Sequence, residues 1–89
     1  MQIDKVEDAY NAKMRLKCAI EQRDALLKKR SIRYVELAFN GAWPVKAEDM
    51  FHIERFSEEF GEEIYKAYLN EYNRIVAKEQ FELDAILNS

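Results

Sequence analysis

His52, Cys18, four clustered glutamates and a run of cations are the residues here whose types could do chemistry. His52 is the only histidine, with Glu48 one turn before it and Asp49 at i−3, so a carboxylate could orient its imidazole. A general base or a metal ligand needs further groups converging on it, and the sequence identifies no second ligand and no nucleophile. A half-exposed helix residue is the plainer reading of His52. Cys18 has basic neighbours but no histidine beside it to activate the thiol, and it reads as a small apolar residue at a helix boundary. Catalysis, a structural metal and a cofactor are therefore not expected.

Glu58, Glu59, Glu62 and Glu63 form two like-charge i,i+4 pairs. A calcium loop places its oxygens on a tight turn with glycine, and that pattern is missing here. Their duller role is helix-start electrostatics and solubility; their sharper role is an acidic patch that docks a basic protein surface. Lys28, Lys29, Arg30 and Arg33 are the counterpart, the best candidates for contact with nucleic-acid phosphates. No glycine-rich phosphate loop or zinc-finger spacing supports that use. A helix-turn-helix drawn over residues 47–75 would carry an acidic recognition helix, which argues against groove binding. Tyr65, Tyr68 and Tyr72 stand at i, i+3 and i+7, where a partly wet face or an interface would serve three hydroxyls. Trp43 either plugs the domain or anchors a partner.

These groups lie on a chain divided by charge. Residues 1–46 carry ten Lys or Arg against six acids, and residues 47–89 carry four against eleven. Such segregation implies that the halves pack on each other or face different charged partners. A chain of 89 residues with 48% hydrophobic and 12% aromatic content is one small folded domain. A core of that size contributes little net stability, and a single cysteine allows no internal disulfide. Oligomerisation is the remedy left. The acidic, charged N-terminus lacks an export signal, and no apolar stretch approaches the ~20 residues of a membrane span. A cytoplasmic location without membrane contact is expected.

Gly41, Pro44 and Gly61 are the only strong punctuation. Val6, Ala9, Tyr10, Met14, Leu16, Ile20 and Leu27 form a stripe whose backward drift suits a seam nearer 3.5 than 3.6 residues per turn, though Lys13 and Arg23 interrupt it. Asp24 and Lys28 are a favourable i,i+4 pair. Ile32, Val35, Ala38 and Phe39 continue a helical stripe, with Asn40-Gly41 as its C-cap and Pro44 beyond. The competing reading is a β-hairpin over 32–45 turning at Asn40-Gly41, and it suffers because Glu36 would share a face with Ile32, Tyr34 and Ala38. Helix is preferred. Ala47 to Phe56 reads as a short helix, and Ser57 as the N-cap of a last helix running to about Leu87.

The fold expected is all-α: a long N-terminal helix, a Gly-Pro loop, a short helix and a long C-terminal helix folded back on the first. A helix unbroken to Phe39 would span roughly 55 Å and protrude, a further reason to expect a homo-oligomer. The function expected is a non-enzymatic interaction protein, a regulator, adaptor or inhibitor. It would bind a protein partner through Glu58, Glu59, Glu62, Glu63, Tyr65, Tyr68, Tyr72 and Trp43. The alternatives are nucleic-acid binding through Lys28, Lys29, Arg30 and Arg33, or a subunit of a larger assembly such as a phage component.

Overall fold

The computed structural model describes residues 3–29, 31–39 and 46–89. Two helices frame a two-stranded sheet, in the order α1 (Ile3–Leu27), β1 (Val35–Ala38), a 3-10 turn (Ala47–Asp49), β2 (Met50–Ile53) and α2 (Glu58–Leu87). The chain forms two compact units, one of residues 1–30 and 66–89 and the other of residues 31–65. The all-α expectation holds in part: the chain is mostly helical and also carries a small two-stranded antiparallel sheet. The Gly-Pro loop and Trp43 lie outside the described residues, as does Arg30.

In the first unit α1 and the later turns of α2 run antiparallel. Arg15 Nε donates to Glu79 Oε2 at 3.1 Å, and Lys5 Nζ donates to the main-chain oxygen of Ser89. On α1 the covered positions are Lys5, Ala9, Ala12, Leu16, Ala19, Arg23 and Leu26, with Ile20 beside them. On α2 they are Leu69, Tyr72, Val76, Glu79, Leu83 and Ile86, flanked by Ile75 and Glu82. Both sets alternate in steps of four and three, the 3.5-residue period of a coiled-coil seam. The register set by the two cross-helix bonds puts Ala12 level with Glu82, next to Leu83, and Ala19 level with Ile75, next to Val76. Small residues on α1 thus lie near the level of large ones on α2. Ala12, Leu16 and Ala19 are the buried centre, at 0%, 8% and 5% exposure.

The expected drift toward 3.5 is present, and Ala9, Leu16 and Ile20 of the expected stripe are covered, but its other members are not. Val6, Tyr10, Met14 and Leu27 are exposed, and the alanines took the inner positions. Arg23 does not break the seam, because its long stem covers apolar surface while its guanidinium reaches Asp24 at 3.3 Å. Asp24 therefore pairs with Arg23 rather than with Lys28.

Helix α1 stops at Leu27, not near Phe39, so it is about 37 Å long at 1.5 Å per residue. Its last carbonyls are met by tightened i→i+3 bonds, from Lys28 N to Ala25 O at 3.3 Å and from Lys29 N to Leu26 O at 3.0 Å. Beyond them Ile32, Tyr34, Val35 and Phe39 are β-branched or aromatic, types that favour extended backbone. The protruding arm, and the case for oligomerisation built on it, is withdrawn.

The preferred helix over 32–39 is likewise overturned, and so is the short helix over 47–56. β1 pairs antiparallel with β2 in the register Val35↔Ile53, Glu36↔His52, Leu37↔Phe51 and Ala38↔Met50. The hairpin alternative was nearer: the strand that pairs with β1 is 50–53, and the turn at Asn40-Gly41 and the returning segment 42–45 lie outside the described residues. The 3-10 turn closes with Asp49 N to Lys46 O at 2.9 Å, and Phe39 N to Asp49 O at 2.8 Å extends the ladder by one bond.

Candidate protein-interaction surface

The second unit collects most of the residues singled out for partner binding. Alternation along each strand sorts its side chains onto two faces. One face carries Val35, Leu37, Phe39, Phe51 and Ile53, with the Phe39 and Phe51 rings edge-to-face at 5.5 Å. Its strand pairs Val35 with Ile53 and Leu37 with Phe51 are uncharged, and Asp49 stands at its end opposite Phe39. The other face carries Tyr34, Glu36, Ala38, Met50, His52 and Glu54. There the Tyr34 and His52 rings lie 4.9 Å apart and His52 Nε2 bonds Glu54 Oε1 at 3.0 Å. The carboxylate that orients the imidazole is thus Glu54, two residues along a strand, and not Glu48 or Asp49. The imidazole is 42% exposed and the Glu54 carboxylate 72% exposed.

The start of α2 closes the unit. Ser57 is its N-cap: Phe60 N donates to Ser57 Oγ at 3.1 Å, and Gly61 N donates to Ser57 O at 3.1 Å. Phe56 turns back over this first turn, with its ring 5.4 Å from that of Phe60. A Cβ on Gly61 would stand 3.1 Å from Phe56 Cε2, so the glycine is there for the approach of that ring rather than for a bend. Glu58, Glu59, Glu62 and Glu63 all project to solvent from these turns. Glu58 and Glu59 meet the positive end of the helix dipole, while Glu62 and Glu63 lie a turn further in and gain less from it. None of the four is paired with a cation among the described residues. Across residues 31–65 there are three Lys or Arg against eight acids, a formal −5.

The remaining candidates are dispersed. Tyr65 and Tyr72 are half-buried on α2 while Tyr68 is 52% exposed, so the three do not form one uniform face. Lys28 and Lys29 are exposed just past α1, in the first unit, and Arg33 is exposed in the extended segment of the second. They do not occupy neighbouring positions of one helix. The helix-turn-helix over 47–75 fails with its first helix. Cys18 lies in mid-helix and exposed, not at a helix boundary. Among the described residues no cluster of His, Cys, Asp or Glu could hold a metal ion, and no helix is long and apolar enough to cross a membrane.

Part of the charge division is consumed inside the fold. Arg15 meets Glu79 at 3.1 Å and Glu82 at 3.8 Å, joining the basic N-terminal half to the acidic C-terminal half. The acids of residues 58–63 have no such counterpart. Glu71 is held by Arg74 through two bonds from Arg74 Nε at 2.9 and 3.0 Å. That hydrogen bonding pulls the Glu71 carboxyl below its ordinary value and raises Arg74 above its own. No protein-family model matches this chain, and no curated protein or solved structure matches it either.

Proposed function

We propose that this chain is a non-enzymatic interaction protein, a regulator, adaptor or inhibitor, that binds a basic surface of another protein through the start of α2. The observation carrying this reading is the concentration of unpaired acid there. Glu58, Glu59, Glu62 and Glu63 are all exposed, in a unit of formal charge −5. Four like charges on two helical turns repel one another, and a cationic partner relieves that repulsion as it docks. Phe60, 37% exposed among them, supplies an apolar contact at the centre of the patch.

Nucleic acid is the competing partner, and the dispersal of Lys28, Lys29 and Arg33 weakens it. The test is retention of partners from the source cell's extract by immobilised protein, read by mass spectrometry and by nucleic-acid absorbance. Glu58→Lys with Glu62→Lys is expected to lose a retained basic protein with the circular-dichroism spectrum unchanged. Retention of nucleic acid that Lys28→Ala with Lys29→Ala alone abolishes would replace the proposal with its competitor.

A further inference from the structure

The uncovered face of the β-hairpin carries an inference separate from the acidic helix start. Leu37, Phe39, Phe51 and Ile53 are 51%, 50%, 59% and 44% exposed, and all stand on one face of a two-stranded sheet. At roughly 200 Å² for a large apolar side chain, these four leave about 400 Å² of contiguous apolar surface in water. Patches of that size on single chains are commonly functional. A two-stranded hairpin is also marginal by itself and becomes firm when its apolar face is packed against something.

We infer that this face is covered by the same face of a second copy of the chain, making a two-layer, four-stranded dimer core. Two observations favour a second copy over a foreign protein. The two strand pairs at the middle of the face, Val35 with Ile53 and Leu37 with Phe51, are uncharged and Asp49 stands only at its end opposite Phe39, so stacking two copies over these pairs buries no charge, and Glu36, His52 and Glu54 remain on the outer surfaces. Finally, the area suits a modest homodimer. Two copies together remove about 800 Å² through these four residues, and Val35 with the rim brings the total to about 1,000 Å². That sits at the lower bound for a specific interface, which sets the expected dissociation constant in the micromolar range.

The charge of the unit gives the dimer a signature. Each copy brings a formal −5 on residues 31–65, so the two repel at long range and salt screens that repulsion. Self-association therefore tightens as salt rises, the opposite of binding to a basic partner. Sedimentation velocity on the full chain, from about 1 to about 500 µM and at low and high sodium chloride, reads this directly. The wild type is expected to pass from monomer to dimer across that range, with a several-fold lower dissociation constant at high salt. Phe51→Glu is expected to weaken association at least tenfold, and Met50→Glu, on the opposite face, to leave it within twofold. Leu37→Gln is the milder variant should Phe51→Glu lose circular-dichroism signal, and it too is expected to weaken the dimer. A wild type monomeric throughout, or association that salt weakens, would overturn the inference. So would a dimer that Phe51→Glu and Leu37→Gln leave intact. None of these results depends on whether the acidic helix start binds a partner.

Discussion

Replacing Leu16 by alanine strikes the centre of the helical unit. Leu16 is 8% exposed, and it is the only large side chain among the buried residues Ala12, Leu16 and Ala19. Leu→Ala removes three carbons, each contributing about 0.8 kcal/mol when buried, so the transfer loss is about 2.4 kcal/mol. A seam between only two helices is open at its sides, and water reaches the space left behind, so the cavity contribution is small. The expected cost is about 2–3 kcal/mol, at the low end of buried leucine truncations. A chain of this length has a total stability of about 4–13 kcal/mol, and the melting temperature should fall by about 10–20 °C. Phe81→Ala is the control: its side chain is larger but 74% exposed, and its loss should cost less than about 0.5 kcal/mol. Urea denaturation and calorimetry at one fixed protein concentration measure both. Leu16→Ala within about 0.5 kcal/mol of wild type, or Phe81→Ala costing as much as Leu16→Ala, would refute the assigned seam.

Ser57→Ala should lower stability by about 1 kcal/mol in urea titrations, because the amide of Phe60 loses its hydroxyl acceptor, whereas Ser57→Asp should retain most of it. Gly61→Ala should gain less than the ~1 kcal/mol that a helix interior normally gives, because the new methyl crowds Phe56, and the fuller gain should appear in a Phe56→Ala background, so a double-mutant cycle on these two positions should be non-additive. Carboxyl NMR should find Glu71 titrating below an ordinary glutamate, and Arg74→Ala should return it to the usual range. The sign follows from the lowered folded value: the contribution of this pair is present above the unfolded glutamate value and is lost as pH falls through the folded one.

The legible parts of the chain are those whose signals are local. Ser57 followed by two glutamates marked the start of α2, and the wide apolar face marked its course to Leu87. The tightened period of α1 was visible too, but the choice of inner line was not. Large residues such as Tyr10 and Met14 draw the eye, and the buried alanines Ala12 and Ala19 do not. Residues 31–56 were misread because their order is not local. The even positions Ile32, Tyr34, Glu36 and Ala38 make a poor strand face, while the odd positions Val35, Leu37 and Phe39 make a good one. That face has meaning only once paired with Phe51 and Ile53, more than ten residues away. A one-residue change of parity exchanges the two faces of a strand, and no local pattern fixes the partner's register. The acidic half of the candidate surface was therefore readable from composition, and the apolar half was not.

Amide-resolved hydrogen exchange at low and high protein concentration tests most directly whether residues 31–65 are where this chain meets other macromolecules. The account predicts that protection at Leu37, Phe39, Phe51 and their neighbours on the strands rises markedly with concentration, while Ala12, Leu16 and Ala19 are already well protected when dilute. Hairpin amides that exchange equally fast at every concentration, or added protection confined to α1, would contradict it.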